Sequence, residues 1–271
     1  MSVTVGVLAL QGAFSEHLQL FKVAANQVES HHEGSAKKYW TFIEVRTQKE
    51  LSSCDALVIP GGESTAISLV AQRCNMLEPL RDFVKVLRKP TWGTCAGLIL
   101  LAESANRTKQ GGQELIGGLD VRVNRNHFGR QIESFQADLD LPFLNEVTPD
   151  LVPFKAIFIR APIVEKLLPT VDGEQQGEAS ITGTVIAPSL QIDKSVAKAV
   201  HLHDVEVMGI LPGRTKKVKN DLGSELDDEA GDIVAVRQAN VFGTSFHPEL
   251  TNDPRLHIWW LQQVDAAVDS R

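Results

Sequence analysis

Three times before residue 103, a short apolar run ends at a turn and is followed at once by residues at helical spacing. Val3 to Leu10 is rich in Val and Leu, Gln11-Gly12 turns the chain, and Phe14, Leu18, Phe21 and Ala25 then recur on one helical face. Ala56 to Ile59 ends at Pro60-Gly61-Gly62, and Ser64-Thr65 offers an N-cap for a helix to about Arg73. Pro90 to Gly93 reads as a strand with a helix, Ala96 to Ala102, directly after it. Thr41 to Val45 adds a short strand and Glu78 to Leu87 another helix. Strands that are apolar throughout are covered on both faces, and their alternation with helices builds a parallel α/β sheet.

The later half is richer in short strands, at Gly118 to Val123, Phe135 to Leu139, Lys155 to Ile159, Ile233 to Arg237 and Val241 to Phe246, so part of the sheet is expected to be antiparallel. A last amphipathic helix follows over Pro254 to Val268, with Leu256, Trp259, Trp260 and Val264 on its apolar face. Two stretches break the pattern. Asn26 to Tyr39 reads as an exposed loop. Residues 170–232 carry Lys216, Lys217 and Lys219 followed by Glu225, Asp227, Asp228 and Glu229, opposed charge blocks typical of a solvated insertion. The expected organisation is a single domain over 1–271 with insertions near 26–39 and 170–232; the length suffices for a substantial core without disulfides or metal.

Composition narrows the function. The net charge of −7 opposes general nucleic-acid binding, which needs a positive face. No apolar stretch approaches the ~18 residues of a membrane helix, and no basic segment precedes the first apolar run as in a secretory signal. The 3 cysteines, Cys54, Cys74 and Cys95, form no C-x-x-C pair and fit a reducing, cytoplasmic setting.

Cys95 lies in Gly93-Thr94-Cys95-Ala96-Gly97, between a strand and a helix, with glycine two positions away on each side. That is the pattern of a nucleophile elbow, a strained turn in which flanking side chains would collide and the following helix N-terminus favours the attacking thiolate. Without that setting a cysteine is ordinarily a small buried hydrophobe; Cys54 and Cys74 lack it and are read as structural. A thiolate attacking an acyl carbon needs a base. Ser245-Phe246-His247-Pro248-Glu249 supplies one, since residues two apart in an extended chain project to one side and Glu249 can orient His247. Backbone N–H groups of Gly62 and Ala96, at two turns on one sheet edge, are the candidate oxyanion donors. Taken singly, His-x-Glu is a common surface pair and Pro-Gly-Gly a common turn; their weight comes from occurring together.

With these segments in order, the chain resembles the class I, triad-type glutamine amidotransferases. Val7-Leu8-Ala9-Leu10-Gln11-Gly12-Ala13-Phe14-Ser15-Glu16-His17, Arg125-Asn126-His127-Phe128-Gly129-Arg130-Gln131 and Phe158-Ile159-Arg160-Ala161-Pro162 resemble, more narrowly, the family of glutaminase subunits of pyridoxal 5′-phosphate synthase. The resemblance implies an α/β, flavodoxin-like three-layer sandwich with a mixed, mostly parallel central sheet. It implies hydrolysis of L-glutamine through a thioester on Cys95, with His247 as base then acid and Glu249 as its orienter. Gly62, Glu63, Ser64, Arg125, Ile159 and Arg160 match the glutamine-binding positions. The implied partner is a barrel-shaped pyridoxal 5′-phosphate synthase subunit in a hetero-oligomeric complex, which receives the ammonia; the chain itself is expected to hold no cofactor and no metal. Gln11-Gly12-Ala13 and the helix after it fall near the partner contact, and His17 on that helix is read either as part of that surface or as merely exposed. His201, His203 and Asp204 have metal-compatible side chains, but no further ligands accompany them.

Rival readings are another class I amidotransferase, a γ-glutamyl hydrolase, or a non-catalytic redox sensor on the same fold. A sensor thiol needs an electropositive site but no acyl-transfer base, so the His247-Glu249 pair separates the last of these from the others.

Overall fold

The computed structural model describes residues 2–31, 38–106, 113–125, 134–148, 152–171, 174–189, 203–212 and 231–270. Strands β1 (Ser2–Leu8), β2 (Tyr39–Val45), β3 (Ala56–Ile59) and β4 (Thr91–Thr94) pair in parallel in the order β2-β1-β3-β4. β13 (Val241–Thr244) joins β4, also in parallel. The apolar runs alternate across this block: Leu57 and Ile59 enter one core, Ala56 and Val58 the other. Each strand is therefore buried on both sides, as its unbroken apolar character requires.

Beyond β13 the sheet turns mixed. β12 (Asp232–Gln238) runs antiparallel to β13 and to β9 (Ile163–Leu167). β9 runs antiparallel to β6 (Leu119–Asn124), which lies parallel to β5 (Ala102–Asn106). β7 (Ser134–Leu139) and β8 (Phe154–Ile159) form a separate antiparallel hairpin. The mixed sheet with flanking helices is the architecture expected from the sequence.

Helices cover both faces. α1 (Phe14–His31) and a C-terminal helix, Arg255–Asp269, pack with the Val3, Val5 and Val7 side of the sheet. In the latter helix Leu256, Trp259, Trp260 and Val264 are all buried, and each leucine-sized side chain so removed from water contributes ~1.5–3 kcal/mol before entropy. α2 (Gln48–Ser52), α3 (Ser64–Arg73), α4 (Leu77–Arg81) and α5 (Ala96–Leu101) lie with the opposite core. Glu78 to Leu87 is not one uniform helix: α4 passes into a π turn over Asp82–Val86.

Two expectations need correction. The loop placed at Asn26 to Tyr39 begins later, because α1 continues through His31 and Val28 extends its stripe against the core; β2 already starts at Tyr39, and residues 32–37 lie outside the described residues. The stretch 170–232 is not uniformly a solvated segment. It contains α6 (Gln176–Ala179), β10 (Thr184–Ile186) and β11 (Glu206–Leu211); β10 pairs with β5 and β11 with β12, burying Val185, Ala187 and Leu211. Edge strands that draw their stability from a partner far away in sequence carry little local signal. The opposed charge blocks, and His201, fall outside the described residues.

In chain order the C-terminal helix is α7 (Arg255–Asp269). No helix among the described residues is long and apolar enough to cross a membrane.

Candidate active site

The parallel block sets the site. β1, β3, β4 and β13 run the same way, so the segments leaving them, Ala9 to Ala13, Pro60 to Glu63, Cys95 and Ser245 to Glu249, share one edge of the sheet.

Cys95 caps α5 directly after β4, with φ +47° and ψ −98°, a conformation that a side-chain-bearing residue adopts only under strain. Its N–H donates to the Thr244 carbonyl at 2.8 Å, and its thiol faces the Ile159 carbonyl at 3.9 Å. The flanking glycines have a packing reason: a Cβ on Gly97 would sit on the Ile59 carbonyl oxygen, and one on Gly93 would press on the Gly97 backbone. The elbow thus closes against the end of β3, one residue before Pro60-Gly61-Gly62.

His247 follows β13 and is nearly enclosed. Its Nδ1 lies 2.7 Å from Glu249 Oε1, which leaves Nε2 as the nitrogen for the thiol. The ring lies against Gly61, where a Cβ would meet Nδ1 at 2.7 Å. Burial works against a charged imidazole, but the Cys95 thiol and the Glu249 carboxylate outweigh it, pushing the pKa up to about 10. For Glu249, burial opposes ionisation and neighbouring His17 and His247 more than offset it, holding the carboxyl below its ordinary range. The pairing of His247 and Glu249 does not come from extended chain. Pro248–Leu250 is a 3-10 turn capped by His247, and the turn brings the carboxylate back to the ring.

The Gly-Gly loop is held from behind by the first turn of the chain. Gln11 Oε1 accepts from the Glu63 N–H at 2.8 Å, and the Ala13 N–H donates to the Gly61 carbonyl at 3.0 Å. Because the peptide is planar, the Gly62 N–H points to the opposite side from that carbonyl. Ala96 opens α5, where the first N–H groups lack intrahelical acceptors.

The other six-residue expectation divides. Glu63 uses both carboxylate oxygens to cap α3, accepting from Thr65 N–H at 3.0 Å and Ala66 N–H at 2.7 Å. Ser64 is buried with its hydroxyl 3.3 Å from Gln113 Oε1, the same oxygen that accepts from Arg125 Nη1 and Thr65 Oγ1. Arg125 is buried, which, against the pull of Glu63, pushes its guanidinium down to about 10; its Nε and Nη2 and the Gln113 Nε2 are buried without a hydrogen-bond partner among the described residues. These unspent donors suit an anionic ligand group such as a carboxylate. Ile159 reaches Cys95 through its carbonyl, whereas Arg160 is exposed, at φ +47° in the turn after β8. Asn126 to Gln131 lie outside the described residues.

Two residues that the sequence reading missed or misplaced also converge here. Gln113 sits in an unpatterned segment that offers no signal. His17 is the clearer correction: it is fully buried, 3.4 Å from Glu249 Oε2, and not on an exposed face. Its signal is its spacing, because His17 falls on the same helical stripe as Phe14, Phe21 and Val28. Among the described residues no cluster of three His, Cys, Asp or Glu side chains could hold a metal ion; of the three candidates noted above, His203 meets Gln238 Nε2 through its carbonyl oxygen at 2.8 Å.

The fold with this edge is that of the glutamine amidotransferases: a solved structure described by that term matches with a TM-score of 0.60 at 32% identity, covering 96% of this chain and 98% of its own. More narrowly, the chain belongs to the SNO glutamine amidotransferase family, whose model matches residues 7–207 and 202–266. Its relatives include pyridoxal 5′-phosphate synthase subunit PdxT of Acidothermus cellulolyticus, 38% identical over 97% of this chain and 94% of the relative. The probable pyridoxal 5′-phosphate synthase subunit PDX2 of Arabidopsis thaliana is 37% identical over 97% and 86% respectively.

Proposed function

We propose that this protein hydrolyses L-glutamine to L-glutamate and ammonia, and that the ammonia passes to a barrel-shaped synthase subunit for pyridoxal 5′-phosphate synthesis in the cytoplasm. The observation that carries the chemistry is His247, held between Glu249 and a cysteine set in a strained strand-to-helix turn. The Cys95 thiolate adds to the side-chain amide carbon, and the oxyanion takes hydrogen bonds from the Gly62 and Ala96 N–H groups. The His247 imidazolium gives its proton to the departing nitrogen, the C–N bond breaks and ammonia leaves a thioester. Water then attacks with His247 as base, the C–S bond breaks and glutamate is released. Arg125, backed by Gln113 and Ser64, receives the substrate carboxylate, with Glu63, Ile159 and Arg160 lining the remainder of the site.

The route to pyridoxal phosphate rests on relatives named as subunits of its synthase. Ammonia is largely protonated in neutral water and then not nucleophilic, so delivery within a complex suits the chemistry. The test is glutamate release from glutamine by this protein, alone and mixed with a pyridoxal 5′-phosphate synthase barrel subunit, with Cys95→Ala as control. Cys95-dependent release stimulated by the barrel subunit is expected. Release that ignores that subunit would overturn the acceptor, and none in either mixture would overturn the chemistry.

A further inference from the structure

Beneath the triad lies a buried polar chain that the proposed reaction does not use. His17 of α1, Thr94 of β4 and His257 of α7 are each fully enclosed. His17 Nδ1 lies 3.0 Å from His257 Nε2, and His17 Nε2 lies 3.3 Å from Thr94 Oγ1 and 3.4 Å from Glu249 Oε2. Phe21 and Trp92 pack around both imidazoles, with the Trp92 ring 5.5 Å from His17 and 5.0 Å from His257, centroid to centroid. Glu249 Oε2 is buried and has no completed hydrogen bond among the described residues.

The protons in this chain can be assigned in order. His17 Nε2 faces both the Thr94 hydroxyl, its hydrogen-bond partner, and the Glu249 carboxylate, which only accepts; a hydrogen on Nε2 is the tautomer that offers both oxygens a donor, and it is the one we assign. Burial pushes the His17 imidazole down to about 3, so the ring is neutral and its Nδ1 is an acceptor. His257 Nε2 therefore donates to it. That leaves His257 Nδ1 as a bare lone pair, in agreement with its lack of a hydrogen-bond partner among the described residues. His257 is likewise pushed down to about 3 by burial.

We propose that His17, fixed by the His257 N–H, is a positioning residue that directs its Nε2–H to the second oxygen of Glu249 and so locks the carboxylate that orients His247. Glu249 is then held from two sides, by His247 on Oε1 and by His17 on Oε2. The 3.4 Å separation is long for a completed bond, and contacts of this kind tighten when substrate is bound. Thr94 is bonded into the same chain one residue before the nucleophile, so α1 and α7 are tied to both ends of the triad. The inference rests on the proposed glutaminase reading for its activity readout.

The full-length protein is compared with His17→Leu, which keeps an apolar filler, and His17→Gln, whose amide can reach Glu249. Glutamate release is measured against glutamine concentration, with Cys95→Ala alongside. A ~10-fold or larger loss of kcat is expected in His17→Leu with KM little changed, and His17→Gln should recover most of it. Unchanged kcat in His17→Leu overturns the proposal, as does an equal loss in both variants, because packing alone would then explain the effect. Should His17→Leu fail to fold, imidazole nitrogen NMR of the wild-type protein decides: Nε2-protonated His17 is expected, and an Nδ1-protonated ring overturns the assignment. That spectrum needs no turnover. Failure of the glutaminase reading is seen separately, as wild-type protein with no Cys95-dependent glutamate release.

Discussion

His247 and His17 both approach Glu249 from within the protein, yet one is cationic at neutral pH and the other is not. His247 is pushed up to about 10 although burial opposes its charge, because the thiol and the carboxylate outweigh the lost hydration. His17 is pushed down to about 3, since burial dominates and the pull of Glu249 is offset by neighbouring His257 and His247. Distance accounts for part of the contrast: the carboxylate is 2.7 Å from His247 and 3.4 Å from His17. The nucleophile accounts for more, because His247 has the Cys95 side chain on its other flank, whereas the further neighbours of His17 are two histidines that oppose its charge. Burial by itself makes a neutral orienting donor; burial between two acids makes a proton-carrying acid and base.

The largest effect should come from removing the charged member. His247→Ala is expected to lower kcat for glutamate release by ~10³-fold or more, with the fold retained, since the nucleophile loses both its base and the acid for the leaving nitrogen. Turnover within ~10-fold of wild type would show that another group moves the proton.

Removing the shared carboxylate should produce the next effect. Glu249→Gln keeps the shape but cannot balance the imidazolium, so kcat should fall by ~10²-fold or more. The direction of titration follows from the cause. Glu249 helps to raise His247 to about 10, so without it the imidazolium should lose its proton at lower pH. NMR titration of the His247 ring reads this directly, and an unmoved midpoint would assign the whole upward shift to Cys95.

What the sequence discloses differs between these groups for a physical reason. The elbow is local: Gly93, Cys95 and Gly97 must lie within one turn, so their spacing is visible in the chain. The collision at Gly97, by contrast, involves the Ile59 carbonyl, which only the fold brings near. The His247-Glu249 pair is visible too, although a 3-10 turn and not extended chain creates it. His17 and His257 lie on the apolar stripes of α1 and α7, at the spacings of Phe21 and of Trp260 with Leu261; reading a histidine as a surface residue hides that they are buried. Gln113 has no periodic signal at all, because its role depends on Ser64, Thr65 and Arg125 arriving from other segments. β10 and β11 are similar, strands only because β5 and β12 offer them an edge.

The contrast between the two kinds of histidine should also appear in stability, as the smallest of these effects. His247 has a folded pKa above the ordinary ~6.5, so its contribution is complete below that pH and is lost as pH rises through about 10. His17 and His257 have folded values of about 3, below the ordinary one. For them the unfolded chain binds protons that the folded chain refuses, so their contribution is complete above ~6.5 and is lost as pH falls towards 3, by ~1.4 kcal/mol per pH unit for each ring. His257→Phe replaces one of these rings with an aromatic that cannot titrate, packed against Phe21 and Trp92. The larger ring can lower absolute stability by overpacking, but that cost does not depend on pH. Urea unfolding at pH 7, 6 and 5 should therefore give a shallower loss of stability with acid in His257→Phe than in wild type, by ~1–2 kcal/mol over that range. Equal slopes would mean that His257 accepts a proton inside the folded protein, and the neutral chain beneath Glu249 would then no longer describe the site at mildly acidic pH.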